Sequence, residues 1–328
     1  AGTLAVGHAN GLGTTAGGVT VASGATLDLV NVALGAEAIT LNGGTLADAT
    51  SSLAGNLTLG ANSTLSVANA ADTFEITGIV SGAYSITKTG SGVLVLSGAN
   101  TYSGGTTVSG GTLKAGISST GSVTNGPFGT GTVTVSSGYT LDLNGYSVAN
   151  ALNLSGTGLS TNGALINSGS STSTVSGAVT LAAATNIGGT GDVTISGAIT
   201  SGGFGLAFKN GGNHNLTNTT NTLSTISATN ISSLAVKNNA DLTVGTVNSV
   251  SGISAVGNVT LDVTGAITIG GNLTTTASAS SSNCCGLLMR ISALINAVKF
   301  NSKPMFLTIS PSLAIFSSRS LNVSSAML

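Results

Sequence analysis

The stretch GVLVLSGANTYSGGTTVSGGTLKAG, residues 92–116, decides how this chain folds. It strings short apolar runs together through glycine pairs and small hydroxylated residues, with one charged side chain, Lys114. Similar runs return along most of the chain: GGVTV at 17–21, ATLDLV at 25–30, AITL at 38–41, NLTL at 56–59, STLSV at 63–67, TVTV at 132–135, DVTI at 192–195 and NVTLDV at 258–263. Many alternate Val or Leu with Thr, Ser or Asp, as a strand with one buried face requires. Gly, Asn and Ser fill the gaps as turn formers. Helical periodicity is absent before residue 283.

Composition narrows the class. Charged residues are 5% of the 328, against roughly 25% in an ordinary soluble domain. The mean hydropathy is +0.46, yet the apolar residues are dispersed, and no run approaches the roughly 20 residues of a spanning helix. The abundance of β-branched apolar residues and the shortage of charge argue against disorder. Strict Gly-X-Y periodicity is missing, which removes collagen. A repetitive all-β protein remains.

The net charge of −1 hides a division. Residues 1–283 hold all nine acids, four Lys and no Arg, a balance of −5. Residues 284–328 hold Arg290, Lys299, Lys303, Arg319 and no acid, together with both Cys, all three Met and one glycine. The body presents no basic stripe, so the footprint of a nucleic-acid binder is missing. The segment CCGLLMRISALINAVKF places Leu287, Ile291, Leu294 and Val298 at helical spacing. The tail is expected to lie outside the β-architecture, as a weakly helical or disordered segment. A slip of the reading frame near Asn283 would explain its change of composition, and a cap or anchor is the alternative.

Self-similarity also exists on a longer scale. GTLAVG at Gly2 answers GTLKAG at Gly111, and GATLDLV at Gly24 answers GYTLDLN at Gly138. GGTLADATSS at Gly43 resembles NGALINSGSS at Asn162, and EITGIVSG at Glu75 answers TISGAITSG at Thr194. Asn-Thr-Tyr at Asn100 weakly answers Asn-Thr-Leu at Asn221. The expected organisation is two long units, about 1–110 and 111–229, then a continuation at 230–283 and the tail at 284–328.

Sandwiches, barrels, propellers and solenoids all accept short strands and glycine turns. A sandwich usually charges its outer face, whereas here that face would be Thr, Ser and Asn. In a parallel β-helix each coil lies about 4.8 Å from the next, and in-register Thr and Asn replace surface charge with contacts between coils. At roughly 20–24 residues per coil, the body makes about 12–14 coils and a rod on the order of 60 Å long.

Residues 92–116 closely resemble the passenger-associated transport repeat, or autotransporter-associated β-strand repeat, of type V secreted proteins. The resemblance rests on Gly92, the run Val93–Leu96, Ser97-Gly98, Asn100-Thr101-Tyr102, Gly104-Gly105 and the run Thr106–Val108. Residues 131–145 are similar to other members, and 230–276 resemble the repeats of filamentous-haemagglutinin-type exoproteins. The resemblance implies a right-handed parallel β-helix, often an adhesin, exported through an outer-membrane translocator barrel to the cell surface. Since no barrel-like segment and no leader is recognisable, the chain is read as a piece of such a passenger. Its expected partners are host or neighbouring-cell surface molecules or polysaccharide.

No cofactor, metal or catalytic residue is assigned. GGTGD at 188–192 and GTGTVTV at 129–135 precede strands rather than helices, so they read as turns. Asp72 and Glu75 would face opposite sides of a strand. Asp28 and Asp142, expected in equivalent outward positions, would stand on the order of 25 Å apart, too far for glycosidase carboxylates. His8 and His214 are expected at the surface. Asn100 and Tyr102 are the sharpest residues of the motif, with Asn100 expected to bond backbone at a turn and Tyr102 to cover a corner. The resulting function is a non-enzymatic, adhesin-like display rod. A carbohydrate-active β-helix enzyme and a self-associating filament unit are the alternatives.

Overall fold

The computed structural model describes residues 2–119, 123–275 and 287–291. Strands dominate, and one 3₁₀ turn, Leu159–Thr161, stands among them. The strands stack in parallel into a solenoid of about 14 coils, as expected. Each coil has three faces.

Face A runs from Thr3–Val6 through Thr26–Val30, Thr45–Ala49, Ser63–Val67, Ile86–Thr89, Thr106–Val108, Val133–Val135 and Leu152–Gly156 to the first half of Val179–Gly189. Face B contains Thr73–Ile76, Val93–Leu96, Thr112–Ala115, Thr140–Asp142, Leu165–Asn167, the second half of Val179–Gly189, Gly205–Lys209 and Thr225–Ile231. Face C begins with Val19–Ala22, Ile39–Asn42, Leu57–Ala61 and Val80–Ser81. It resumes at Ser173–Val175, Val193–Ile195, Asn213–Leu216, Ser233–Asn238 and Val259–Val263. Between these two runs, backbone bonds such as Thr101 N–H to the Val80 carbonyl (2.9 Å) and Thr130 N–H to the Tyr102 carbonyl (2.9 Å) carry the stack.

Period-2 alternation puts every second side chain inside. Along face B one inward column reads Phe74, Leu94, Leu113, Leu141, Leu165, Ile187, Phe208, Ala228, Ile253. Each member is buried. The outward column of face A reads Thr3, Thr26, Thr45, Thr64, Thr87, Thr107, Thr134, Asn153, Thr180, Thr200, Thr222, one residue per coil. At about 4.8 Å per coil these ten steps span about 48 Å.

The long-range similarity acquires a geometric meaning. TLDLV lies on face A and TLD of TLDLN on face B, five coils and one face further on. The other matched pairs move the same way: Thr3–Val6 to Thr112–Ala115 is A to B, and Thr73–Ile76 to Val193–Ile195 is B to C. The offset is therefore five and one-third coils. Asp28 and Asp142 consequently lie on different faces, which corrects their expected equivalence. The three faces are similar enough to accept the same strand sequence.

Leu287–Ile291 pairs in parallel with Val259–Val263. The stack thus passes residue 283, and these five residues form a strand instead of the expected weakly helical or disordered segment. Pairing with the backbone of Val259–Val263 outweighs helical spacing in so short a segment. Leu294, Val298 and the rest of the tail lie outside the described residues.

Candidate functional site

The motif residues occupy the corners of one coil. Asn100 is fully buried. Its Oδ1 accepts the Val80 N–H (2.7 Å) from the preceding coil, and its Nδ2 donates to the Pro127 carbonyl (2.7 Å) of the next. One amide thereby stitches three coils. Asn221, its weak counterpart in the second unit, repeats the device with the Ile199 N–H (2.8 Å) and the Lys237 carbonyl (3.0 Å). Thr101 is exposed, and its N–H continues the ladder. Tyr102 is inside the core, not merely covering a corner, and its hydroxyl shares a 2.6 Å bond with Thr106 Oγ1. Burial pushes the phenol well above its ordinary range.

The motif glycines serve close approach and turn geometry. A Cβ at Gly92 would stand 2.5 Å from both the Asn69 carbonyl and Val67 Cγ1, and one at Gly104 would overlap Tyr84. Gly105 turns with φ 85°, a conformation that favours glycine. The structure therefore spreads the motif around one coil, with Gly92 at the corner between faces A and B, Asn100 after face B and Gly104–Gly105 before the next strand of face A, and the polar groups of Asn100 and Tyr102 are consumed by structural hydrogen bonds.

Lys88 and Asp48 are ionisable groups buried where the sequence alone did not direct attention. Lys88 follows inward-facing Ile86 by two, so the alternation itself points it inward. It is fully buried, and Nζ donates to the carbonyls of Thr89 (2.9 Å), Gly90 (3.0 Å) and Gly110 (3.2 Å). Burial lowers the ammonium to about 8. Asp48 also faces inward, and neither oxygen has a hydrogen bond of good geometry. Burial raises its carboxyl, while nearby Ser51 and the Thr50 backbone soften the shift.

His214 corrects a surface expectation. It stands between Val193 and Leu234 on face C and is 1% exposed. Its ring centre lies 5.1 Å from that of Phe208, and neither ring nitrogen is hydrogen-bonded. Burial lowers its pKa to about 4, opposed in part by the Asp192 charge and by the Lys209 carbonyl, which lies outside hydrogen-bond geometry. In the sequence Asn213-His214-Asn215-Leu216, polar neighbours disguise an inward position. His8 is exposed, as expected, and accepts from the Asn10 N–H at 3.2 Å.

The buried imidazole makes a pH prediction. Its folded pKa lies below the unfolded value near 6.5, so its contribution is intact above pH 6.5 and is lost as pH falls toward about 4. The loss is at most about 3 kcal/mol. His214→Leu should remove this component, read as the wild-type-minus-variant difference in urea midpoints from pH 7 to 4. A constant difference would contradict it.

The acids are dispersed. Asp142 is outward but covered: Ser168 Oγ donates to it at 2.6 Å, and Lys114 pairs with it at 3.5 Å. Glu75 accepts from Ser97 Oγ at 2.6 Å, while Asp72 binds Thr50 (3.1 Å) and Asn69 (2.8 Å) at a neighbouring turn. Among the described residues no group of three His, Cys, Asp or Glu could hold a metal. Gly188 and Gly189 close the strand Val179–Gly189 instead of forming a turn, Thr190–Asp192 then leads into Val193–Ile195, and Gly129–Thr132 leads into Val133–Val135. Cys284 and Cys285 lie outside the described residues.

Residues 86–115 match the family model of the passenger-associated-transport-repeat. No curated protein and no solved structure matches the chain. The family match ends before residues 230–276, where the coils continue. A transport repeat set within a parallel stack of about 14 coils fits an autotransporter passenger domain.

Proposed function

We propose that this chain is a non-enzymatic, adhesin-like segment of a secreted passenger, displayed at the cell surface as a rigid rod. The observation that carries the reading is the outward column of face A, ten threonines and one asparagine in register on successive coils. From Thr26 to Thr134 these hydroxyls have no hydrogen-bonding partner among the described residues. They face outward at a regular spacing and can contact the hydroxyl-rich surfaces of host or neighbouring cells, including polysaccharide. Such contacts are individually weak, and repetition along the rod raises their combined effect. Export through a translocator barrel belongs to the same reading.

Beads coated with the full chain at graded density test it on epithelial cells and on immobilised polysaccharide. Retention should rise more steeply than linearly with density, with no reducing ends released. Density-independent retention, or cleavage of the polysaccharide, would overturn the proposal.

A further inference from the structure

Two segments depart from the regular coil, and they meet on one side of the rod. The first is the loop after Leu152–Gly156, which contains the 3₁₀ turn Leu159–Thr161. The second is an antiparallel hairpin, Thr246–Val247 with Val250–Ser251, inserted between Leu242–Val244 and Ile253–Ala255. The hairpin folds back over earlier coils of face B. Val247 and Val250 pack on Ala207, beside Ala184, and Asn248 Nδ2 donates to Asn186 Oδ1 at 2.9 Å. Gly205 makes room, since a Cβ there would meet Val247 at 2.5 Å.

Between the loop and the hairpin lies a cleft of about 550 Å³. That size lies within the roughly 300–1,000 Å³ typical of small-ligand sites. Six hydroxyls line it, from Thr157, Thr161, Thr229, Ser249, Ser251 and Ser254, joined by the Asn248 amide. Ala228 and Val250 are buried beneath this lining, and Lys209 supplies the charge; no carboxylate lines the cleft. Lys209 Nζ donates to the Thr161 carbonyl at 3.0 Å and to the Thr161 hydroxyl at 3.5 Å, which fixes the ammonium at the rim and leaves one donor available. No acid lies within ion-pair distance of it among the described residues.

The backbone marks the same place. Four non-glycine residues on the two rims have positive φ: Ser160 (51°), Thr161 (61°), Asn248 (47°) and Ser249 (68°). For β-branched Thr161 this conformation is costly, and such outliers gather at ligand sites.

We infer that this cleft binds a saccharide unit carrying one anionic group. Hydroxyls and an amide can donate to and accept from sugar hydroxyls, and Lys209 pairs with the anion. This assigns a ligand class to the binding role proposed above and rests on that reading. The anion can be carboxylate or sulfate, and the test separates them.

Isothermal titration of the full chain uses three probes: a glucuronate-containing disaccharide, a sulfated disaccharide without carboxylate, and uncharged lactose. One or both acidic probes should bind at least tenfold more tightly than lactose, with the preferred one naming the anion. Lys209→Met should weaken that probe at least tenfold, and Lys209→Arg less than threefold, with melting curves unchanged. Equal binding by wild type and Lys209→Met, or no binding of either acidic probe, would overturn the inference. If the cleft fails while bead retention remains density-dependent, the surface-display reading survives; loss of retention as well removes both.

Discussion

Gly78→Val should lower stability by about 3 kcal/mol or more, seen as an early urea midpoint, because adjacent coils touch through backbone at this corner. Gly55, Gly78 and Gly98 follow one another on successive coils. A Cβ at Gly78 would overlap the Gly55 carbonyl, with the carbonyl carbon at 2.5 Å, and one at Gly98 would overlap the Gly78 carbonyl. Neither obstacle is a flexible side-chain end, so the coils themselves must separate, and hydrogen bonds on both sides of the corner suffer. Gly17→Ala is the control. A Cβ at Gly17 meets nothing within 4 Å, and its backbone is not left-handed. That change should stay within about 0.5 kcal/mol. Similar losses from both substitutions would contradict the close packing of this corner.

Asn100→Ala is the second large effect. The side chain satisfies the buried Val80 N–H and the Pro127 carbonyl together. Truncation orphans both, at about 1–3 kcal/mol each, so a loss of about 2–6 kcal/mol is expected. Asn100→Asp is the sharper comparison. The carboxylate can still accept from Val80, but it faces the Pro127 carbonyl with no donor. It should rescue little at neutral pH and more on acidification, since a protonated carboxyl regains an O–H. If Asn100→Asp matches wild type at pH 7, the stitching role is wrong. The same experiment at Asn221 should give the same order, because its two bonds have the same directions along the stack.

The fold was legible because its physics is local and repeated. Runs such as TLDL and VTLDV alternate with period 2, and the solenoid follows once low surface charge makes a sandwich unattractive. The corner glycines were legible as punctuation, and Asn100 as a turn amide. What the sequence concealed was the face on which each strand sits. Two copies of TLDL look equivalent, yet an offset of five and one-third coils puts Asp28 and Asp142 on different faces. His214 was misread because polar neighbours suggest a surface strand, whereas alternation turns it inward between Val193 and Leu234. Inward positions of Asp48 and Lys88 follow from the same alternation once the neighbouring apolar residues fix the phase.

The cleft was hidden for another reason. Thr246 to Ser251 reads TVNSVS, with valines on either side of an Asn-Ser pair suited to left-handed turn positions. That is a hairpin signal, but in a chain full of short strands it does not stand out. Nor does any local pattern reveal that the hairpin folds over Ala207 toward Asn186. Such placement is set by contacts between residues about sixty positions apart.

The central claim is that neighbouring coils advance in parallel by one strand spacing along a single axis. Double electron–electron resonance on the full chain, with Cys284 and Cys285 replaced by Ser and spin labels at outward face A positions, measures that advance. Labels at Thr26 and Thr107 are four coils apart, and labels at Thr26 and Thr180 are seven. Mean distances of about 19 Å and 34 Å, growing by about 4.8 Å per coil, are predicted. Distances that fail to increase between the two pairs would mean that the strands do not form one stacked column.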